Sequence, residues 1–423
     1  DTSPSRQRNP VGNRVMRVAT RAPILALIAS VGLCHASKQR GASDAPAAVD
    51  ASEEDSGSSE EQAERQMDRR LRRIQQNCGE LCDIRRPTIA HPNERFNHSM
   101  APMPCGWLLA DDTGIDATLE QSFPPLKPPA KWMDEFTMHG RFPLRAEYFN
   151  SSREMQAGNE LKIETLRDGT RVTDGWSEAR ISGLVRQATG KVPPPQGRPA
   201  GATPTMLGYA FWTRYHNLNR ELWVGLHQAK TNGSNVLVIG SQTPWVEGLC
   251  LGAGAAHVYT LEYGKIFTNH PQVTTFLPVE FLSKARDGSL PPIDVVVTAS
   301  SLEHSGLGRY NDGLNPWGDI LAVARGWCVG APHARLVVAV PTTVSASGLE
   351  AMNDEQAAKY GQDVLSFNGQ RTYGPVRYPY LTTNWRFDQR IYNGNTPGWA
   401  QTVYTFKKAN NHLRMGLNGQ SAS

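Results

Sequence analysis

The run "VLVIG", Val236 to Gly240, constrains the fold of this chain more than any other stretch. Consecutive aliphatic residues suit a strand covered on both faces, as in a parallel sheet. The glycine ends the run at a sharp turn. Thr243 and Pro244 then read as the N-cap and first residue of a helix, which Gly252 and Gly254 can end. "HVYTLE" supplies a second strand closing on Glu262. Strand, tight turn, helix and strand form the repeating unit of a parallel sheet.

The pattern continues downstream. "PPIDVVVTASS" reads as a strand, "WGDILAVARGWCVG" as a helix, "ARLVVAVP" as a strand and "AQTVYTFKK" as a late strand. Upstream, Leu207, Tyr209, Phe211, Leu218, Leu222, Trp223 and Leu226 recur at roughly helical spacing, an aromatic packing face. Residues 205–410 are therefore expected to form an α/β, Rossmann-like doubly wound sheet. A tail over 411–423 follows.

The first half has a different character. No acidic residue lies between Thr2 and Ser43, and Arg6, Arg8, Arg14, Arg17 and Arg21 precede the apolar run Ala22–Ala36. That run is shorter than the roughly 20 residues of a bilayer span. Residues 1–36 thus read as a secretory signal peptide, a signal anchor or a transit leader. The expected location is the secretory pathway, in the Golgi or ER lumen, with membrane anchoring through the apolar run; the alternative is an organelle reached by a transit peptide. Sequons at Asn97, Asn150 and Asn232 fit a secretory route. Residues 37–70 read as a disordered linker of Ala, Ser, Gly, Asp and Glu followed by the start of a solvated helix over 60–76, acidic at its start and basic at its end. Prolines punctuate 71–204 densely, which reads as an irregular accessory region. "RAEYFN" and "TRVTDGW" are its candidate strands.

Six cysteines occur in the 423 residues. Cys78, Cys82 and Cys105 cluster beyond the linker, so a disulfide among them is expected in a secreted chain. Cys250 and Cys328 lie in apolar contexts and read as buried thiols. The formal charge of +4 is mild for this length and argues against nucleic acid as partner. No spacing of His and Cys marks a metal site.

In doubly wound sheets, ligands bind beyond the carboxyl ends of the strands, and a turn feeding a helix presents backbone N–H groups to an anionic portion of the ligand. Glu262 follows Gly240 by about 20 positions, the spacing at which a carboxylate accepts ribose hydroxyls. The turn "GSQTP" has one glycine where dinucleotide sites carry three. A ligand with one ribose and an amino-acid carboxylate, such as S-adenosylmethionine, needs less room than a pyrophosphate. An NAD-dependent oxidoreductase is therefore the less favoured enzyme, and no Tyr-x-x-x-Lys pair supports it. A non-catalytic Rossmann-like binding protein is the second alternative.

"VLVIGSQTPWVEGLCLGAGAAHVYTLEYG" together with "SSLEHSGLGRYNDGLNPWGD" resembles the family catalogued as domain of unknown function 268, described from nematodes. The layout from Leu207 to about Lys408 is similar to class I S-adenosylmethionine-dependent methyltransferases. The resemblance implies that Gly240, Ser241 and Glu262 line the cofactor. It makes the segment before "FLPVEF" the third strand, with Glu280 as an adenine-side contact, and places Ser300 to His304 at the end of the fourth. It also points to acceptors of the small-molecule kind.

The densest chemistry is Ser300–Asp319, which gathers Glu303, His304, Arg309, Tyr310, Asp312 and Asp319. Methylating a hydroxyl requires a base, and an imidazole with an ordinary pKa of about 6.5 serves near neutral pH. His304 is the candidate base, with Glu303 or Asp312 to orient it. The competing reading makes Glu303 a cap and His304 a structural residue. Asp312 and Asp319 as a metal pair is a third, for which no ligand spacing compels a site. Arg309 and Tyr310, with Asn368, Arg371 and Tyr373 from "SFNGQRTYGPVRYPYL", are the candidate acceptor-binding residues. Together these features lead to the expectation of O-methylation of a small molecule or glycan hydroxyl.

Overall fold

The computed structural model describes residues 59–82, 103–110, 128–145, 163–165, 171–173, 175–190, 216–308, 314–342, 355, 359, 363–367, 369–391 and 401–409. At its centre is a sheet built from β1 Asn235–Ile239, β2 His257–Leu261, β3 Val273–Phe276, β4 Ile293–Ala299, β5 Gly330–Pro341, β6 Trp385–Ile391 and β7 Gln401–Lys408. Their spatial order is β6-β7-β5-β4-β1-β2-β3. The pairings β5–β4, β4–β1, β1–β2 and β2–β3 are parallel. β7 runs antiparallel between β5 and β6. The order reverses direction between β1 and β4, opening a crevice at their carboxyl ends.

Why these segments are strands follows from their burial. Val295, Val297, Val337, Ala339 and Val403 face one side of the sheet, while Val296, Leu336, Val338, Tyr404 and Phe406 face the other. With period two and both faces covered, every position of such a strand must be apolar, hence the unbroken runs. One face is closed by α2 Glu178–Ala188, α3 His216–Gln228 and α4 Trp245–Gly252, through Ile181, Leu222, Leu226, Val246 and Leu249. The opposite face is closed by α5 Pro278–Asp287 and α6 Gly318–Val329, through Phe281, Leu282, Ala322 and Val323.

α6 is apolar nearly all round because it is covered twice. Its other face, Trp317, Ile320, Leu321 and Ala324, packs on Leu71, Ile74, Trp132, Phe136 and Phe142 of the N-terminal half. This corrects the expectation of a solvated helix at 60–76: α1 Ser59–Cys78 is anchored by Leu71, Ile74 and Cys78. Three apolar residues on one turn-spaced face suffice where a partner exists, and the sequence alone does not show the partner.

The cysteine expectation is half corrected. Cys78 bonds Cys82, within the predicted cluster, but Cys105 bonds Cys328 across 223 positions. Cys328 is thus no thiol, whereas Cys250 is a buried free one. The accessory region also holds α2, which sequence punctuation hides. Leu184 and Ala188 of α2 sit where a Cβ on Gly248 or Gly252 would stand, so these glycines let α2 and α4 approach closely. Of the candidate strands there, Arg171–Thr173 and Gly175–Trp176 are present. In "RAEYFN" only Arg145 is described, ending the strand Leu144–Arg145. β6 was not foreseen; its burial alternates poorly because it is the sheet edge. The leader and linker over 1–58 and the tail beyond 409 lie outside the described residues. Among the described residues no helix is long and apolar enough to cross a membrane.

Candidate functional site

The crevice begins at the carboxyl end of β1. Gly240 turns the chain at φ +74°, and a Cβ there would lie 2.5 Å from the Ser301 Cβ. The Ser301 hydroxyl donates to the Gly240 carbonyl at 2.8 Å, so the turn and the β4 end are bonded together. Only glycine fits this junction. α4 begins one residue later than expected, at Trp245, with Pro244 in the cap position.

Ser241 follows Gly240 directly; the position where a dinucleotide turn would have its second glycine is the next one, Gln242, whose side chain is exposed. The Ser241 side chain is buried, with the hydroxyl 2.8 Å from the Thr243 carbonyl and 3.0 Å from Glu247 Oε2. Thr260 donates to Glu247 Oε1 at 2.8 Å. Burial pushes the Glu247 carboxyl up to about 7, and nearby Glu262 adds to this against the hydrogen bonds that favour the anion. One serine proton serves one of its two contacts, and a protonated Glu247 supplies the second. The serine side chain is therefore folded into the protein beneath the turn.

Glu262 stands half-buried at the end of β2. Its Oε2 accepts from Ser241 N–H and its Oε1 from Tyr263 N–H, both at 2.8 Å. Two backbone amides, one from the turn after β1 and one just beyond β2, aim this carboxylate. A carboxylate offers about four lone-pair positions, so ribose hydroxyls can be accepted alongside amides. The donor set suits an adenosyl ribose: an anionic acceptor at the β2 end beside a turn that leads into a helix N-terminus. Glu280 is placed at the start of α5, directly after β3. Its Oε2 accepts from Leu277 N–H (2.9 Å) and its Oε1 from Lys265 (2.6 Å). Burial pushes its pKa up, but these bonds and the lysine charge outweigh that and hold it low. The side chain thus caps α5 and pairs with a lysine.

At the end of β4, Ser300 adopts φ +54°, rare for a residue with a side chain. Its hydroxyl accepts from Gln401 Nε2 at 2.8 Å, over the end of β5. The turn Leu302–His304 follows, and Glu303 and His304 are both buried in it. His304 Nδ1 lies 2.6 Å from the Gly369 carbonyl. A carbonyl only accepts, so Nδ1 carries the proton and Nε2 is the basic nitrogen. Nε2 lies 3.8 Å from Glu303 Oε1. Ser305 meets the Tyr263 hydroxyl at 2.8 Å, which joins this loop to the β2 end.

Behind the loop is a buried charged network. Asp319 accepts from Arg377 Nη2 (2.6 Å), Arg377 Nε (2.9 Å) and the Tyr373 hydroxyl (2.8 Å). Arg371 donates to the Ser305 carbonyl at 2.5 Å and lies 3.8 Å from Asp319. Asp363 holds the next turn through the backbone N–H groups of Gly374, Val376 and Arg377. Arg371 and Tyr373, expected as acceptor-binding donors, are placed here, fully buried, propping the loop from behind. Asp319 is committed to the same network. Among the described residues no group of His, Cys, Asp and Glu is arranged to hold a metal. Asp312, Arg309, Tyr310 and Asn368 lie outside the described residues.

Several residues of the site went unforeseen. Glu247 carried a signal, a carboxylate inside the apolar window "WVEGLCLG". Tyr263 adjoins Glu262 but gave no hint of reaching a residue 42 positions away. Gln401, whose Oε1 is buried without a partner among the described residues, begins a strand that read as plain sheet.

The seven-strand order, with one antiparallel strand inserted beside β5 and the acidic β2 end, defines the fold as the class I methyltransferase type. Residues 233–352 carry the sequence pattern of a named family, the Caenorhabditis protein of unknown function, DUF268. No curated protein sequence matches the chain. Among solved structures it is similar to the Burkholderia thailandensis 1,6-didemethyltoxoflavin-N1-methyltransferase with S-adenosylhomocysteine bound, at 14% identity and TM-score 0.32, covering 45% of this chain and 78% of that one. A Listeria monocytogenes putative S-adenosylmethionine-dependent methyltransferase matches at 12% and 0.29, covering 45% and 98%. A Streptococcus thermophilus putative hemolysin matches at 12% and 0.30, covering 50% and 70%.

Proposed function

We propose that the chain is an S-adenosylmethionine-dependent methyltransferase acting on a hydroxyl of a small molecule or glycan. The observation that carries this reading is Glu262, aimed by two backbone amides at the β2 end beside the Gly240 turn. S-adenosylmethionine, when bound, supplies an electrophilic methyl group. Glu262 would accept the ribose hydroxyls. The Gly240 and Ser241 N–H groups are taken by Leu261 and Glu262. The Gly240 carbonyl, with a lone pair beside its Ser301 bond, would therefore accept from the ammonium of the amino-acid end. His304 Nε2 would take the acceptor's proton, with Nδ1 fixed by the Gly369 carbonyl and Glu303 stabilising the imidazolium that results. Two disulfides in the fold support a location in an oxidising compartment, and with it a glycan acceptor.

The test is calorimetry of the full chain with S-adenosylmethionine, S-adenosylhomocysteine and NAD. The adenosyl compounds bind and Glu262→Gln weakens them by about tenfold or more, the loss of a charge-assisted hydrogen-bond pair. Binding of NAD alone would overturn the reading. His304→Ala then abolishes methyl transfer to a panel of sugars and phenols while leaving S-adenosylhomocysteine affinity in place. An unchanged panel result assigns His304 to structure.

A further inference from the structure

The adenosyl side and the acceptor side of the crevice are joined by one side chain. Tyr263 follows Glu262 directly, and its N–H holds Glu262 Oε1 at 2.8 Å. Its hydroxyl meets Ser305 Oγ, beyond the end of β4, also at 2.8 Å. Ser305 follows His304, and its carbonyl is held by Arg371 at 2.5 Å. Arg371 and Asp319 thus brace the loop from the protein interior, whereas Tyr263 ties the same residue to β2.

We infer that Tyr263 is a positioning residue that links occupancy of the adenosyl site to the placement of the His304 turn. Ribose hydroxyls engaging Glu262 act on the carboxylate that the Tyr263 amide holds. The backbone at position 263 is then fixed, and the phenol with it. Through Ser305 the phenol then adds to the hold that Gly369 and Arg371 already have on the His304 turn, and the basic nitrogen is more narrowly placed when the methyl donor is present. The consequence is a graded coupling: filling of the donor site tightens a turn that Gly369 and Arg371 already hold. This inference rests on the cofactor reading of Glu262, and its test separates the two.

The experiment uses the full chain and S-adenosylhomocysteine as the probe. Affinity is measured by calorimetry, and amide hydrogen exchange is followed in peptides spanning 301–308, with and without the probe. In the parent protein the probe slows exchange in 301–308. Tyr263→Phe keeps the ring and loses one hydrogen bond, so affinity stays within about threefold, while loop exchange rises about fivefold in the bound state and no longer responds to the probe. Ser305→Ala removes the same bond from its other end and reproduces the effect, which decides the matter should the Phe variant fold poorly. Probe-dependent protection that survives in both variants overturns the inference. So does a parent loop that ignores a bound probe, in which case the cofactor reading stands alone. A parent protein that does not bind the probe removes the cofactor reading itself, and the inference falls with it.

Discussion

Asp319→Asn removes one charge from the network behind the site and keeps the side-chain shape. The carboxylate is fully buried and takes three short hydrogen bonds, two from Arg377 and one from Tyr373. Its asparagine replacement turns an N–H₂ toward a guanidinium, donor against donor, and leaves Arg377 buried without its counter-charge. Breaking a buried pair by neutralising one partner costs about 3–5 kcal/mol. That is a large share of a total of about 5–15 kcal/mol. At about 2–4 °C per kcal/mol for a domain of this size, the unfolding midpoint should fall by about 10 °C at pH 7. The sign with pH follows from the same contacts. Burial pushes the Asp319 pKa up, but Arg371, Arg377 and Tyr373 outweigh it, so the folded value lies below the ordinary one. A carboxylate lowered in this way contributes stability that is complete above its unfolded pKa and is lost as pH falls through the folded value. The gap between parent and variant should therefore be full near neutrality and close in acid. Thermal unfolding followed by circular dichroism on the full chain reads it directly. The double variant Asp319→Asn/Arg377→Met should lose less than the sum of the single losses, since the orphaned cation is gone. A single-variant midpoint within about 2 °C of the parent, or strictly additive losses, refutes the reasoning.

Glu247, raised by burial to about 7, is a stability switch of the opposite sign: its contribution is complete below the ordinary carboxylate pKa and is lost as pH rises through about 7. The parent should lose about 3 kcal/mol between pH 5 and pH 8 relative to Glu247→Gln, measured by urea midpoints at the two values; parallel pH dependence in both would contradict the buried neutral acid. The two disulfides should differ sharply. Replacing Cys105 and Cys328 with Ala opens a closure of 223 positions and should cost about 4 kcal/mol, while the Cys78–Cys82 pair, four positions apart, should cost far less. Equal denaturant midpoints for the two double variants would refute that ordering.

The sheet was legible in the sequence because its signals are local. Val236–Ile239, "DVVVTA" and "LVVAV" are apolar throughout, which only a strand covered on both faces tolerates, and Gly240 and Gly254 mark the turns at positive φ. Glu262 was legible for the same reason: it ends a strand at a fixed distance from a glycine turn. The accessory region was not. α1 shows few apolar residues and looks solvated until Trp317 and Ile320 cover it, and α2 shows its role only against Gly248 and Gly252. Arg371 and Tyr373 looked like polar surface groups in a turn-rich stretch, because the carboxylate that takes them inside lies some 50 positions earlier, in a helix that reads as core.

Sequence by itself determined β1, α4, β2, β4, α6 and β5, since burial pattern, propensity and turn chemistry act within a few residues of one another, whereas β3 was implied only by the family resemblance and α5 was not read at all. The tertiary structure decided which cysteine meets Cys105, which side of α6 is covered by the N-terminal half, and how β6 and β7 close the sheet edge. It also decided that Tyr263 meets Ser305 and Gln401 meets Ser300 at the carboxyl ends of the strands. Those outcomes depend on groups that come together only after long loops close, and a contact between distant positions has no energy, and leaves no local mark, until that closure has occurred.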